Sequence, residues 1–100
     1  MTPHDHVLDP GIAPAVAVLQ QAGVETFESC EGGEGHAFLE PTVRFHGGRY
    51  EGLRALAAAL QAGLPVRALR RVYDVHDGEP TGPVWEMILI SLSRTTSLDG

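Results

Sequence analysis

The chain has no lysine and no asparagine, and all seven of its basic side chains are arginine. Thirteen acidic residues outnumber them, for a formal net charge of −6. A non-specific nucleic-acid binder needs surplus cations to neutralise phosphates, and anionic membrane surfaces attract basic segments. Neither nucleic acid nor membrane is therefore an expected partner. The single cysteine, Cys30, cannot form an internal disulfide. Secreted domains of this size often carry several bridges, so the cysteine usage points to a reducing cytoplasm. No apolar run exceeds about eight residues, against roughly 20 for a bilayer-spanning helix. Met1 to His6 shows no basic stretch followed by an apolar core, so no signal peptide is expected.

What remains is a composition of 43% apolar and 20% charged residues, which places the chain among globular rather than disordered sequences. One hundred residues make a single small domain. Residues 1–8 and 94–100 are expected to be flexible ends.

Asp9-Pro10-Gly11 reads as a turn, followed by a helix over Ala13 to Ala22 with Pro14 in its first turn. Gly23 falls just past the last turn, where left-handed backbone is wanted. Val24 to Cys30 and Thr42 to His46 alternate as strands, separated by a glycine loop over Glu31 to Pro41. A second helix is predicted over Tyr50 to Ala62, ended by Gly63 and Pro65. Strands follow over Leu69 to Val75 and Val84 to Leu92, with Asp77 to Pro83 as the turn. The order is αββαββ. The expected fold is α+β, a two-layer sandwich: a four-stranded, mainly antiparallel sheet with two helices on one face. The halves share wording. Leu19-Gln20-Gln21-Ala22-Gly23 is echoed by Leu60-Gln61-Ala62-Gly63, and Glu40-Pro41-Thr42 by Glu79-Pro80-Thr81. This is either a degenerate repeat or two similar helix ends.

Helical spacing predicts a core of Val16, Leu19, Leu53, Leu56 and Leu60, joined by Phe27, Val43 and Phe45 from the sheet. Strand parity then puts Glu28, Cys30, Arg44 and His46 on the opposite sheet face, with Glu28 and Arg44 as a cross-strand pair. The last strand is apolar on both sides: Trp85, Met87 and Leu89 on one, Val84, Ile88, Ile90 and Leu92 on the other. Such a strand is buried on both faces, so cover from a second copy is expected and the chain reads as a homodimer. Arg67, Arg70 and Arg71 form the basic cluster. It fits a charged, aggregation-resistant strand edge better than an anion site.

Chemistry concentrates in Ser29-Cys30-Glu31-Gly32-Gly33-Glu34-Gly35-His36. A cysteine beside a histidine is a candidate nucleophile, although the flanking Glu31 and Glu34 disfavour thiolate chemistry. Cys30 and His36 with Glu31, Glu34 or His46 could supply three metal ligands, but the paired Cys or His spacing of a structural zinc site is missing. A glycine loop can also cradle a ligand by its backbone N–H groups. This one is acidic and leads into a strand, which suits a cationic or polar ligand better than a phosphate. The candidate ligand-binding residues are Ser29, Cys30, Glu31, Gly32, Gly33, His36, Arg44 and His46, with neither metal nor cofactor expected.

The run Glu28 to His36, followed by Glu40-Pro41-Thr42-Val43-Arg44-Phe45, resembles a group of small uncharacterised phage and bacterial proteins. Those proteins share a Ser-Cys-Glu-Gly-(spacer)-His loop after a helix and a strand. Asp77 to Glu86 looks like the later part of the same group. The resemblance implies that Ser29, Cys30, Glu31, Gly32 and His36 match the motif, and it carries no established activity. A more distant likeness is to tRNA-modification proteins with a Ser-Cys-Ser-Gly motif, whose Ser-Gly continuation this chain lacks. The expected function is a small cytoplasmic binding or regulatory domain for a small ligand or a protein. The alternative is an enzyme or metal-dependent protein using Cys30 and His36.

Overall fold

The computed structural model describes residues 12–90. The expectations for the ends, and for Leu92, lie outside the described residues. Two helices and four strands follow in the order α1 (Ala13–Gln21), β1 (Thr26–Cys30), β2 (Thr42–Phe45), α2 (Glu51–Gln61), β3 (Val66–His76) and β4 (Glu79–Leu89). The strands form one open sheet in the order β1-β2-β4-β3, antiparallel throughout. The fold is the expected α+β sandwich. Each αββ half contributes one hairpin. The second strands, β2 and β4, meet in the middle, and the first strands, β1 and β3, lie at the two edges.

Both helices stop in the same way. After α1, Gly23 takes φ +83° and the Val24 N–H reaches back to the Leu19 carbonyl at 2.9 Å. After α2, Gly63 takes φ +81° and the Leu64 N–H reaches the Ala59 carbonyl at 3.0 Å. This is the glycine-ended cap that satisfies the last carbonyls of a helix. The shared Leu-Gln-Ala-Gly wording thus has a shared structural task. The Glu-Pro-Thr echo has none: Thr42 is buried opposite Cys30 and Ile88, whereas Thr81 is exposed opposite Asp74. The helices are also tied side by side, because the Arg54 guanidinium of α2 donates to the Ala22 carbonyl at the end of α1. A cation there complements the negative end of the helix dipole.

The core lies between the helices and one sheet face. Ile12, Val16 and Leu19 of the first helical segment meet Val43, Phe45, Met87 and Leu89. The phase of α2 differs from expectation. Its buried residues are Gly52, Ala55 and Ala59, with Leu56 half-buried, whereas Leu53 and Leu60 are 62% and 56% exposed. The cause is Trp85. Its indole lies so close under the helix that a Cβ built on Gly52 would sit 2.5 Å from two ring carbons, well inside contact distance. Only small side chains fit beneath the helix, so the leucines turn outward. The indole is further fixed by its Nε1–H donating to the Gly48 carbonyl at 2.9 Å.

Phe27 also departs from the expected core. The β1–β2 register slips between Thr26 and Glu28, where two steps of β1 oppose one step of β2. This bulge reverses parity, so Thr26 pairs with Phe45 while Phe27 is exposed. Phe27 instead stacks on His46, with ring centroids 4.3 Å apart.

The last hairpin is longer than predicted. Asp77 and Gly78 alone make the turn, both with positive φ (52° and 79°). That pair suits a two-residue hairpin turn. Strand pairing resumes at once with His76 opposite Glu79. Pro80 and Pro83 are accommodated because β2 reaches β4 only from Trp85 onward, so this end of β4 has an open edge. Met87, Ile88 and Leu89 are all buried within the single chain. The centre of the two-sided apolar strand is therefore covered inside the chain, while Val84 is half-buried and Ile90, just beyond the strand, is 47% exposed.

Candidate functional site

The sheet face away from the helices holds the predicted polar set. Cys30 pairs with Thr42, Glu28 with Arg44 and Arg44 in turn with Glu86 across the central strands. Residues directly opposite in an antiparallel pair share a face, so these side chains project together. Ser29 pairs with Val43 instead and sits on the helix-facing side of β1, apart from Cys30.

The glycine loop between β1 and β2 folds back on this face. Cys30 is buried, 6% exposed, and its sulfur lies 3.7 Å from His36 Nδ1. The Gly32 N–H points at the same sulfur at 3.4 Å. The loop closes on itself through the Gly33 N–H to the Leu39 carbonyl at 2.9 Å and the His36 N–H to the Gly33 carbonyl at 3.1 Å. Gly32 is the crowded point. It has φ +87°, and a Cβ there would lie 2.5 Å from the Glu40 carbonyl carbon. At the far end, Arg67 of β3 holds Glu40 at 2.6 Å, and the Leu89 N–H donates to the Pro41 carbonyl at 2.8 Å. Glu34, His36 and Leu39 are left exposed on a closed frame.

Arg44 anchors the centre of the face. Its guanidinium donates twice to Asp74, both bonds at 2.9 Å, and through Nε to Glu86 at 2.9 Å. Glu28 stands at 3.4 Å, and the ring of Phe38, from the loop, lies 5.6 Å from the guanidinium carbon. Glu86 is shared: its other oxygen accepts from Arg70 at 2.8 Å. The Arg44 side chain is 12% exposed and that of Glu86 only 5%. The bonds to Asp74 hold the Arg44 guanidinium protonated well beyond its ordinary range, opposed by burial and reinforced by Glu86. The same bonds draw the Asp74 carboxyl below its ordinary value.

The structure therefore brings Cys30, Gly32, Gly33 and His36 together and places Arg44 in a carboxylate cage on the same face. Glu31 opens the loop. His46 stands apart, stacked on Phe27, with its backbone N–H on the Glu25 carbonyl at 3.0 Å. Among the described residues, no three His, Cys, Asp or Glu side chains gather as a metal-ligand set. Sequence reasoning missed Asp74, Glu86 and Phe38. The available signal was Glu86 itself, a lone carboxylate inside the apolar run Val84 to Ile90 that must find a cation if the strand is central. Of the arginine cluster, Arg67 and Arg70 are turned into ion pairs, and Arg71 lies over Trp85 with its guanidinium carbon 5.1 Å from the ring centroid. No helix among the described residues is long and apolar enough to cross a membrane. Neither a family model, nor a curated protein, nor a solved structure matches this chain.

Proposed function

We propose that the chain is a small cytoplasmic binding or regulatory domain whose recognition element is the closed loop from Glu31 to Glu40 on the polar sheet face. The observation that carries this reading is the loop's construction. Glycines at positive φ, a backbone bond across the loop from Gly33 to Leu39 and the crowding at Gly32 fix a shape that a plain linker does not need. On that shape the chain displays Glu34, His36 and Leu39. Carboxylate, imidazole and an exposed leucine suit a ligand with a cationic or hydrogen-bonding head and an apolar body. The kinship with the small phage and bacterial proteins is part of the same proposal and rests on Ser29 to His36.

The test is titration of the isotope-labelled protein with spermidine, L-arginine amide and a neutral amide control, followed by amide chemical shifts. The reading expects shifts confined to residues 31–40, stronger for the cations, and lost in Glu34→Gln with His36→Ala. Shifts spread over the whole surface, or none, overturn it.

The domain is also proposed to pair with a second copy. The support is α2 with its N-cap residue, where Tyr50, Leu53, Ala57 and Leu60 recur at spacings of three and four on the exposed side. That is the period of a helix–helix seam.

The second reading, an enzyme or metal-dependent protein using Cys30 and His36, is favoured by the 3.7 Å approach of thiol and imidazole. It expects Cys30 in the native protein to react with iodoacetamide as fast as a free thiol. A lag removed by urea sinks it, because burial then governs access.

A further inference from the structure

We propose that the open edge of β3 is a docking strand for an extended segment of a partner protein, acidic where it passes Arg71 and apolar where it passes Tyr73 and Val75. β3 is last in the sheet order, so among the described residues one side of its backbone has no neighbouring strand. Its outer half runs past the end of β2, whose pairing stops at Phe45 opposite Trp85. The side chain of Asp74 turns to Arg44 on the polar face. Tyr73 and Val75 flank it at alternate positions and so lie on the other face, in line with Arg71 opposite Trp85. Both are exposed, 63% and 68%. An added strand would set its own alternate side chains against this row while its backbone takes the free edge.

Charge complementarity decides the occupant. Proteins guard such an edge with charged side chains. Here two of the three candidates, Arg67 and Arg70, are committed to Glu40 and Glu86. Arg71 has no carboxylate partner among the described residues and rests on the Trp85 ring. A guanidinium held over an aromatic ring keeps its charge and its N–H donors, which a carboxylate can engage. Further along, Asp77 and Glu79 at the turn repel acids, which leaves the Tyr73 and Val75 positions to apolar side chains. A single-stranded nucleic acid needs a continuous cationic track. One uncommitted arginine followed by Asp77 and Glu79 does not supply it. This surface is separate from the loop of the proposed function and does not depend on it.

The experiment uses fluorescence anisotropy with three labelled probes: the peptide Glu-Glu-Val-Glu-Val-Thr-Ile-Thr, its counterpart with lysine at each acidic position, and oligothymidylate of about a dozen nucleotides. The acidic peptide is expected to bind about tenfold more tightly than the basic one, with the order reversed in Arg71→Glu. Tyr73→Ser, at an exposed site, weakens binding without moving the melting temperature. Amide exchange should slow along β3 in the complex and stay unchanged along β1. The proposal is overturned by failure of the acidic peptide to bind, by equal binding of both peptides, or by tighter binding of oligothymidylate. Protection falling on β1 or the loop instead of β3 overturns it as well.

Discussion

Arg44 and Asp74 face each other fork to fork, guanidinium against carboxylate, through two 2.9 Å hydrogen bonds that join β2 to a strand it does not neighbour. β4 lies between them in the sheet, and its Glu86 takes the third guanidinium nitrogen. With Glu28 of β1 at 3.4 Å, one side chain thus ties all four strands together. Removing it strands Glu86, almost wholly buried, with Arg70 as its remaining cation. Arg44→Met should cost about 3–5 kcal/mol in urea titration, the range for breaking a buried pair by deleting one partner. Arg44→Lys should recover only part of this, because an ammonium cannot make the paired geometry. A loss below about 1 kcal/mol would mean that the cage is dispensable.

The Asp74 carboxyl predicts an acid dependence. Its native value lies below the ordinary one, chiefly because of the hydrogen bonds from Arg44. A lowered native value contributes stability that is present above the unfolded value of about 3.9 and is lost as pH falls through the native one. The wild type should therefore exceed Asp74→Asn in stability at neutral pH, with the gap closing below about pH 4. A gap constant down to about pH 2 contradicts the assignment.

On α2 the expected ordering inverts simple hydrophobicity. In protein dilute enough to be monomeric, Leu53→Ala and Leu60→Ala should each change stability by no more than about 0.5 kcal/mol, as exposed positions do. Gly52→Ala, which adds one carbon against the Trp85 ring, should cost about 1–3 kcal/mol despite alanine's better helix propensity. Thermal melts of the three variants, with the tryptophan emission spectrum of Gly52→Ala, check both halves. Leu53→Glu with Leu60→Glu should convert a dimer to a monomer in sedimentation if a second copy packs on this row. A monomeric wild type at high micromolar concentration refutes the pairing.

In the loop, the contrast between two glycines isolates crowding from backbone preference. Gly35 has φ +82° and open space around its Cβ position, whereas Gly32 has φ +87° and the Glu40 backbone inside contact distance. Gly35→Ala should cost about 1 kcal/mol, the left-handed penalty alone. Gly32→Ala should cost more, on the order of 2–4 kcal/mol, and should loosen the protection of the Gly33 amide in hydrogen exchange. Equal costs would show that the loop yields freely at Glu40.

The legible part of this fold was whatever neighbouring residues decide. Gly23 and Gly63 ended their helices where the sequence placed them, and the order αββαββ followed from local alternation and turn chemistry. The Glu28–Arg44 pair was visible because it needs only a hairpin. Asp74 and Glu86 were not, because they reach Arg44 only once β4 is known to lie between β2 and β3. The phase of α2 was misread because leucine outweighs glycine and alanine in any hydrophobic pattern, while the close approach of Trp85 selects for smallness. Phe27 was misread because a bulge shifts parity by one and leaves no mark in the residue types themselves. Within the candidate site, the nearness of Cys30 and His36 was foreseeable from a short glycine spacer. The burial of Cys30 and the cover of Arg44 by Phe38 depend on how the loop folds back.

The strand order also divides the sheet into local and long-range pairings. The β1–β2 and β3–β4 hairpins are closed by chain segments next to them, and each has its own helix beside it. The strand pairing that unites the halves is that of β2 with β4, and its ion pair of Arg44 with Glu86 spans 42 residues. Closing a loop of that length costs more chain entropy than any hairpin here, and it gives nothing back until the central strands zip. The meeting of β2 and β4, the second strand of each half in chain order, therefore carries the largest closure cost among the strand pairings of this sheet.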